Sequence, residues 1–332
     1  MKAVVIGDGA WGTALALDLL ENGHEVVLWG AFPDYLAEMA ATRENTRFLR
    51  GVRLPAELKF EADPARALAG ATLAVLATPT QFLGAVLKRF VAAGVPDGLI
   101  VVDVAKGIET GTLRRISEMV AAEFGDRVRY AVLSGPSHAE EVSRRVPTLV
   151  TVASRDPETA LAVQRSFINE RFRVYTTDDV VGVELGGALK NVFAIAAGII
   201  DGMGLGDNPK AALMTRGIAE LGRLGEKLGG RRETLAGLAG IGDLIVTCTS
   251  GHSRNRHVGE ELGRGKHLDA ILSEMGMVVA EGVATAESAW RLARREQVET
   301  PLVDAVYSVL YENRPVREVL RELMTRAPKA EF

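Results

Sequence analysis

Lys2-Ala3-Val4-Val5-Ile6 runs straight into Gly7-Asp8-Gly9-Ala10-Trp11-Gly12, and then into an apolar stretch patterned like a helix. This junction constrains the fold more than any other feature of the sequence. In such a loop the first glycine permits a tight turn, and the second lets the backbone approach a pyrophosphate. The third lets helix and strand pack closely. The first N–H groups of the helix lack intrahelical partners and sit at the positive end of its dipole, so they suit phosphate oxygens. Three glycines alone would be weak evidence. Between a β-branched run and a helix start, Gly7, Gly9 and Gly12 read as a dinucleotide loop rather than an ordinary turn.

Such a loop sits on a parallel sheet, and the first half of the chain has the pattern of one. Ala3–Gly7, Glu25–Trp29, Leu73–Ala77, Leu99–Val104, Ala131–Ser134, Leu149–Val152 and Arg173–Thr176 read as strands. Trp11–Glu21, Pro33–Ala41, Phe82–Phe90 and Leu113–Phe124 read as helices between them. Alternation of this kind implies βαβ units, and the continuous apolar strands imply a sheet covered on both faces. After Asp178 strands give way to helices: Val180–Ile200, Pro209–Leu228, Arg254–Gly263, Glu281–Arg295, Leu302–Tyr311 and Val316–Thr325. The expected class is α/β, with an N-terminal Rossmann-like, doubly wound domain over 1–180. An all-helical C-terminal domain would follow over 181–332.

Composition limits what such a chain does. At 332 residues, 47% hydrophobic and 25% charged, it is a globular chain with room for two cores. A formal net charge of −4 carries no general bias toward nucleic acid or membranes. An anionic substrate would therefore need local basic residues. Cys248 is the single cysteine, and His24, His138, His252, His257 and His267 match no metal-ligand spacing, so all five histidines read as structural. The N-terminus shows no secretory pattern, and the apolar stretch Val192–Ile200 is too short to span a bilayer. Cytoplasmic residence is the expectation.

The second strand should end near the adenosine ribose of a bound dinucleotide. It ends Leu28-Trp29-Gly30-Ala31-Phe32, with no acid for a 2′-hydroxyl and no base for a 2′-phosphate; Asp34 reads as part of a helix start. NAD and NADP both remain open.

Lys190 lies in Gly182-Val183-Glu184-Leu185-Gly186-Gly187-Ala188-Leu189-Lys190-Asn191-Val192, on a helix otherwise almost wholly apolar. Helical side chains lean back over the preceding turn, here Gly186 and Gly187, leaving a slot without side chains that a small substrate could enter. Burial would also lower the lysine's pKa toward the range useful for acid/base work. The alternative is an amine that reaches solvent beside glycines used for helix packing. Lys106 follows one strand and the Ser134-Gly135-Pro136-Ser137 turn follows another, at the strand ends where open α/β sheets bind ligands. Gly240-Ile241-Gly242-Asp243 precedes Ser253-Arg254-Asn255-Arg256, whose hydroxyl, helix start and guanidinium suit a phosphate. A capped helix with solvated arginines is the other reading of that run.

Taken together, GDGAWGTALA, VVDVAKGIE, SGPSHAEEV, ELGGALKNVFAIAAGIIDG, AGIGDLIVTCTS, HSRNR and VVAEG resemble the bacterial-type NAD(P)-dependent glycerol-3-phosphate dehydrogenases. The segments stand in family order from residue 7 to about 282, nearly the whole chain. The resemblance implies that Lys190 is the proton acceptor and that Lys106 contacts both cofactor and substrate. It implies substrate contacts from Gly135, Ser137, Asp243, Ser253, Arg254 and Asn255. It implies cofactor contacts from Ala10, Trp11, Ala139, Arg254, Val279 and Glu281. Ala31 stands at a cofactor position where family members often carry a histidine or a basic residue.

The expected reaction is reversible hydride transfer between glycerol 3-phosphate and dihydroxyacetone phosphate, supplying glycerol 3-phosphate for phospholipids. The partners would be a small phosphorylated triose and a second copy in a homodimer, with neither nucleic acid nor a membrane span. A 3-hydroxyacid or 6-phosphogluconate type dehydrogenase would explain the first domain and Lys190 but not Asp243 or the Ser253-Arg254-Asn255 run. A nucleotide-sensing protein without catalysis would not need an intact lysine and phosphate site.

Overall fold

The computed structural model describes residues 1–328, 330 and 331. Ten strands are present among them: β1 (Lys2–Ile6), β2 (Glu25–Trp29), β3 (Glu44–Asn45), β4 (Leu49–Arg53), β5 (Lys59–Glu61), β6 (Leu73–Leu76), β7 (Ile100–Asp103), β8 (Arg129–Ser134), β9 (Thr148–Ala153) and β10 (Phe172–Thr177). Eight form one sheet in the order β10-β9-β8-β7-β6-β1-β2-β5, while β3 and β4 form a small antiparallel pair. Neighbours in the large sheet run parallel except β8 and β9.

Side chains alternate across this sheet into two separate cores. Ala3 and Val5 of β1 join Leu28, Leu73, Val75 and Val102 on one face. Val4 and Ile6 join Val27, Trp29, Ala74, Leu76 and Val101 on the other. Because period 2 sends successive residues to opposite faces, a strand buried on both must be apolar throughout. The first face is covered by helices Ala10–Glu21 and Pro157–Phe167, the second by Thr80–Ala93 and Ile116–Phe124. β1 lies between β6 and β2, pairing Ile6 with both Leu76 and Trp29. The chain goes from β1 to β2 and β5 on one side and then crosses back to β6 on the other, so the strand order reverses at β1 and opens the crevice in which such sheets hold ligands.

Several elements differ from the sequence expectation. β3, β4 and β5 carry no apolar run by which to recognise them. Helix Pro157–Phe167, absent from the sequence expectation, does carry a local signal: Asp156 caps it, Pro157 begins it, and Ala160, Val163 and Phe167 form its buried stripe. The helix expected from Leu113 begins at Ile116, because Leu113 has φ +61 and Glu118 reaches back to accept from Arg115 N at 2.8 Å, so the first turn starts later. Only the four-residue helix Ala139–Val142 lies between β8 and β9. That is too short for a parallel crossover, so β9 turns antiparallel.

After β10 the described chain is helical. Val180–Gly202, capped by Asp179, runs through the middle of the helical part and is packed by Asp207–Lys227, Asp243–Thr249, Arg254–Gly263, Glu281–Arg295 and Pro301–Tyr311. It is long and apolar enough to cross a membrane, but 89% of its most apolar stretch is buried inside the protein. A helix surrounded on all sides is apolar all round. Glu184 ties it to the sheet, accepting from Arg115 Nη1 at 2.6 Å, Ser117 N at 2.7 Å and Tyr130 OH at 2.9 Å.

Candidate active site

The glycine loop has the division of labour that a pyrophosphate site needs. A Cβ on Gly7 (φ +128) would stand 2.7 Å from the Ala77 backbone, and one on Gly12 would stand 2.1 Å from Gly7 O. A Cβ on Gly9 would meet nothing within 4 Å. The first and third glycines thus close the turn against β6 and β1, and the second faces open space. No side chain caps helix Ala10–Glu21, whose first N–H groups stay available. Trp11 Nε1 is buried with no hydrogen-bond partner among the described residues. These features fit a dinucleotide. Ala31 is exposed beyond β2, and Ala139 is buried at the start of a short helix packed against Ala10–Glu21.

The second cluster centres on Asp243, which is 1% exposed. Lys106, just beyond β7, donates from Nζ to Asp243 Oδ2 at 2.6 Å and to Gly135 O, just beyond β8, at 3.1 Å. Ser137 donates to the same carbonyl at 2.9 Å. Lys190 Nζ bonds Asp243 Oδ1 from the other side and donates to Thr247 Oγ1 at 2.6 Å. Thr247 in turn donates to Asp243 O at 2.6 Å. Strand ends, core helix and helix Asp243–Thr249 therefore meet at a single carboxylate.

Electrostatics follow from this enclosure. Lys190 is 5% exposed, and burial pushes its pKa down to about 8; Lys106 pushes the same way and Asp243 opposes. Burial by itself would raise the Asp243 carboxyl, but the two ammonium groups outweigh it and hold it below its usual range. Two cations around one carboxylate leave net positive charge, which favours an anionic ligand.

The slot expected over Gly186 and Gly187 is absent. A Cβ on Gly186 would stand 2.5 Å from Ala239 O, and one on Gly187 would stand 2.7 Å from Ser134 Oγ. Those glycines admit neighbouring protein, not substrate. The accompanying alternative, a lysine reaching solvent, does not hold either. Lys190 is enclosed because its neighbours close over it.

A chain of amides extends the cluster. Asn191 donates to Lys106 O at 2.9 Å, Asn255 donates to Asn191 Oδ1 at 2.9 Å, and Asn255 Oδ1 accepts from Gly282 N at 2.9 Å. Beside Gly282, Glu281 accepts from Thr80 N at 2.7 Å and Lys106 N at 3.0 Å, bridging the helical part to loops after β6 and β7. Val279, half-buried, precedes it. Ser253 caps helix Arg254–Gly263 by accepting from Arg256 N at 3.2 Å. Arg256 is not a solvated arginine but pairs with Asp201 at 2.6 Å. Arg254 is exposed and makes no ion pair among the described residues.

Sequence reasoning did not single out Thr247 or Asn191, although Asn191 adjoins Lys190 and Thr247 lies one helical turn after Asp243. His138 was read as structural. Its Nε2 is buried without a partner among the described residues, and its pKa is held below the ordinary value by burial, then by Lys190 and Lys106.

The family model described as NAD-dependent glycerol-3-phosphate dehydrogenase N-terminus matches residues 2–160, and its C-terminus counterpart matches residues 179–321. The chain belongs to the NAD-dependent glycerol-3-phosphate dehydrogenase family. An NAD(P)+ glycerol-3-phosphate dehydrogenase of Geobacter metallireducens is 52% identical, covering 99% of this chain and 98% of that protein. One from Bacillus pumilus is 50% identical, covering 100% and 96%. A crystal structure of glycerol-3-phosphate dehydrogenase from Coxiella burnetii has a TM-score of 0.94 at 39% identity, covering 98% of this chain and 99% of that one. Matches over both halves favour the glycerol-3-phosphate dehydrogenase family over the 3-hydroxyacid and 6-phosphogluconate types.

Proposed function

We infer that this chain is an NAD(P)-dependent glycerol-3-phosphate dehydrogenase that interconverts sn-glycerol 3-phosphate and dihydroxyacetone phosphate. The observation that carries the reading is the Asp243 carboxylate enclosed between Lys106 and Lys190, with Lys106 at the same carboxyl edge of the sheet as the glycine loop, in a chain of this family. Residues 1–180 would hold the cofactor, and 181–332 would supply substrate contacts and the acid/base. Gly7, Gly9, Ala10, Trp11 and Gly12 would cradle the dinucleotide, with further contacts from Ala31, Lys106, Ala139, Arg254, Val279 and Glu281. When bound, the nicotinamide donates or accepts the hydride.

The protein's part is proton transfer and charge placement. In reduction, the Lys190 ammonium gives a proton to the oxygen on C2; in oxidation, the neutral amine takes it back. Asp243 fixes Lys190 in position, and Lys106 adds a second positive charge where negative charge grows on that oxygen. Gly135 and Ser137, which meet Lys106 at the Gly135 carbonyl, would add substrate contacts. Arg254, with no ion pair among the described residues, would take the phosphate, helped by Ser253 and by the second amide N–H of Asn255. Resemblance to the bacterial-type enzymes supports glycerol 3-phosphate supply for phospholipids, cytoplasmic residence and a homodimer.

A substrate panel tests the reading by absorbance at the reduced-nicotinamide band. Dihydroxyacetone phosphate should be turned over with rates far above those for dihydroxyacetone, 3-hydroxyacids or 6-phosphogluconate. Equal use of dihydroxyacetone and its phosphate would remove the proposed phosphate site.

A further inference from the structure

The end of β2 offers neither acid nor base of its own, yet a carboxylate lies there. It comes from Asp8, inside the glycine loop. A Cβ on Gly30 would stand 2.6 Å from Asp8 Oδ2 and 2.9 Å from its Cγ. The carboxylate of the first loop therefore fills the space that a side chain at the end of β2 would occupy. Gly30 is buried and Ala31 beyond it is exposed and uncharged. Asp8 is held in place by its backbone, whose carbonyl accepts from Asn45 Nδ2 at 2.8 Å. Asn45 is itself fixed by Thr13 Oγ1 at 2.7 Å and by the Tyr35 hydroxyl at 2.6 Å.

Asp8 Oδ2 is buried with no hydrogen-bond partner among the described residues. Such an oxygen is under-satisfied and gains from a donor brought by a ligand. In sheets of this type the end of β2 is where the adenosine ribose lies, and an acidic side chain there binds its hydroxyls. The cation facing Asp8 is Arg47, which is already stacked on the Tyr35 ring at 4.0 Å and lies 3.6 Å from Glu38. It offers an incoming phosphate less than a free guanidinium would.

We propose that the Asp8 carboxylate accepts from the adenosine ribose hydroxyls and makes this chain select NAD(H) over NADP(H). The inference rests on the reading of the glycine loop as a nicotinamide-dinucleotide site. A 2′-hydroxyl donates to the carboxylate, whereas a 2′-phosphate brings like charge against it with no free base at Ala31 to compensate.

The test is equilibrium binding of NADH and of NADPH to the full chain without triose, by calorimetry. The unmodified protein should bind NADH at least about ten-fold more tightly, a difference of about 1.4 kcal/mol. Asp8→Asn, which keeps the shape and removes the charge, should shrink that ratio, chiefly by tightening NADPH; Asp8→Ala should do the same. Equal or tighter NADPH binding by the unmodified protein would overturn the proposal. So would an unchanged ratio in both variants. Binding of neither dinucleotide would overturn the glycine-loop reading itself, and this inference with it.

Discussion

Glycine does opposite work in the two halves of this molecule. In the loop after β1, a Cβ on Gly9 would stand in open space, and that space suits a ligand. On the Val180–Gly202 helix, a Cβ on Gly186 would stand 2.5 Å from Ala239 O, and one on Gly198 would stand 1.9 Å from Arg256 O. There the missing side chain lets protein backbone come close. The contrast explains how Lys190 is kept dry. Helix Arg254–Gly263 and the Ala239–Asp243 segment press against the core helix, and the burial that results lowers the lysine's pKa. The first half makes room for a ligand, and the second removes water from the group that would act on one.

The largest expected effect tests the dry half. Lys190→Ala should lower turnover by about 10,000-fold, the upper range for a positioned acid/base. Dinucleotide affinity should barely move, because the glycine loop belongs to the other half. Normal turnover in that variant would remove Lys190 from the reaction. Next comes packing: Gly198→Ala should destabilise the protein by about 3 kcal/mol, as measured by denaturant unfolding, because helix backbones would have to separate. A neutral result would mean that the close helix contact is not needed. The smallest change in stability belongs to Gly9→Ala, within about 0.5 kcal/mol, since nothing surrounds its Cβ. That variant should nonetheless weaken dinucleotide binding by about ten-fold in calorimetry. Unaltered binding would dissolve the contrast between the two kinds of glycine.

Local pattern made much of the fold legible. β2, Arg254–Gly263 and Glu281–Arg295 fall at the residues their periodicity and caps predict. What local pattern could not show is contact between distant segments. Lys106 and Asp243 are 137 residues apart, and Lys190 and Asp243 are 53 apart. Each stands in a segment that resembles the family, but their meeting at one buried carboxylate is a property of the packed chain. The same limit explains the misread slot. From sequence, Gly186 beside Lys190 is a gap, and only the course of residues 239–243 shows what fills it. Asp8 is a third case, because its carboxylate lies at the end of a strand other than its own.

The pH dependence of kcat/KM in both directions tests most directly whether a dry, lowered-pKa Lys190 is the acid/base. Burial moves Lys190 from 10.5 to about 8. Reduction requires the ammonium, so kcat/KM for dihydroxyacetone phosphate should be level below about pH 8 and fall about ten-fold per unit above it. Oxidation requires the amine, so kcat/KM for glycerol 3-phosphate should rise toward about pH 8 and then level off. Opposite limbs crossing near 8, both lost in Lys190→Ala, are the predicted result. Limbs that break near 10.5, or that run in the same direction, would contradict it.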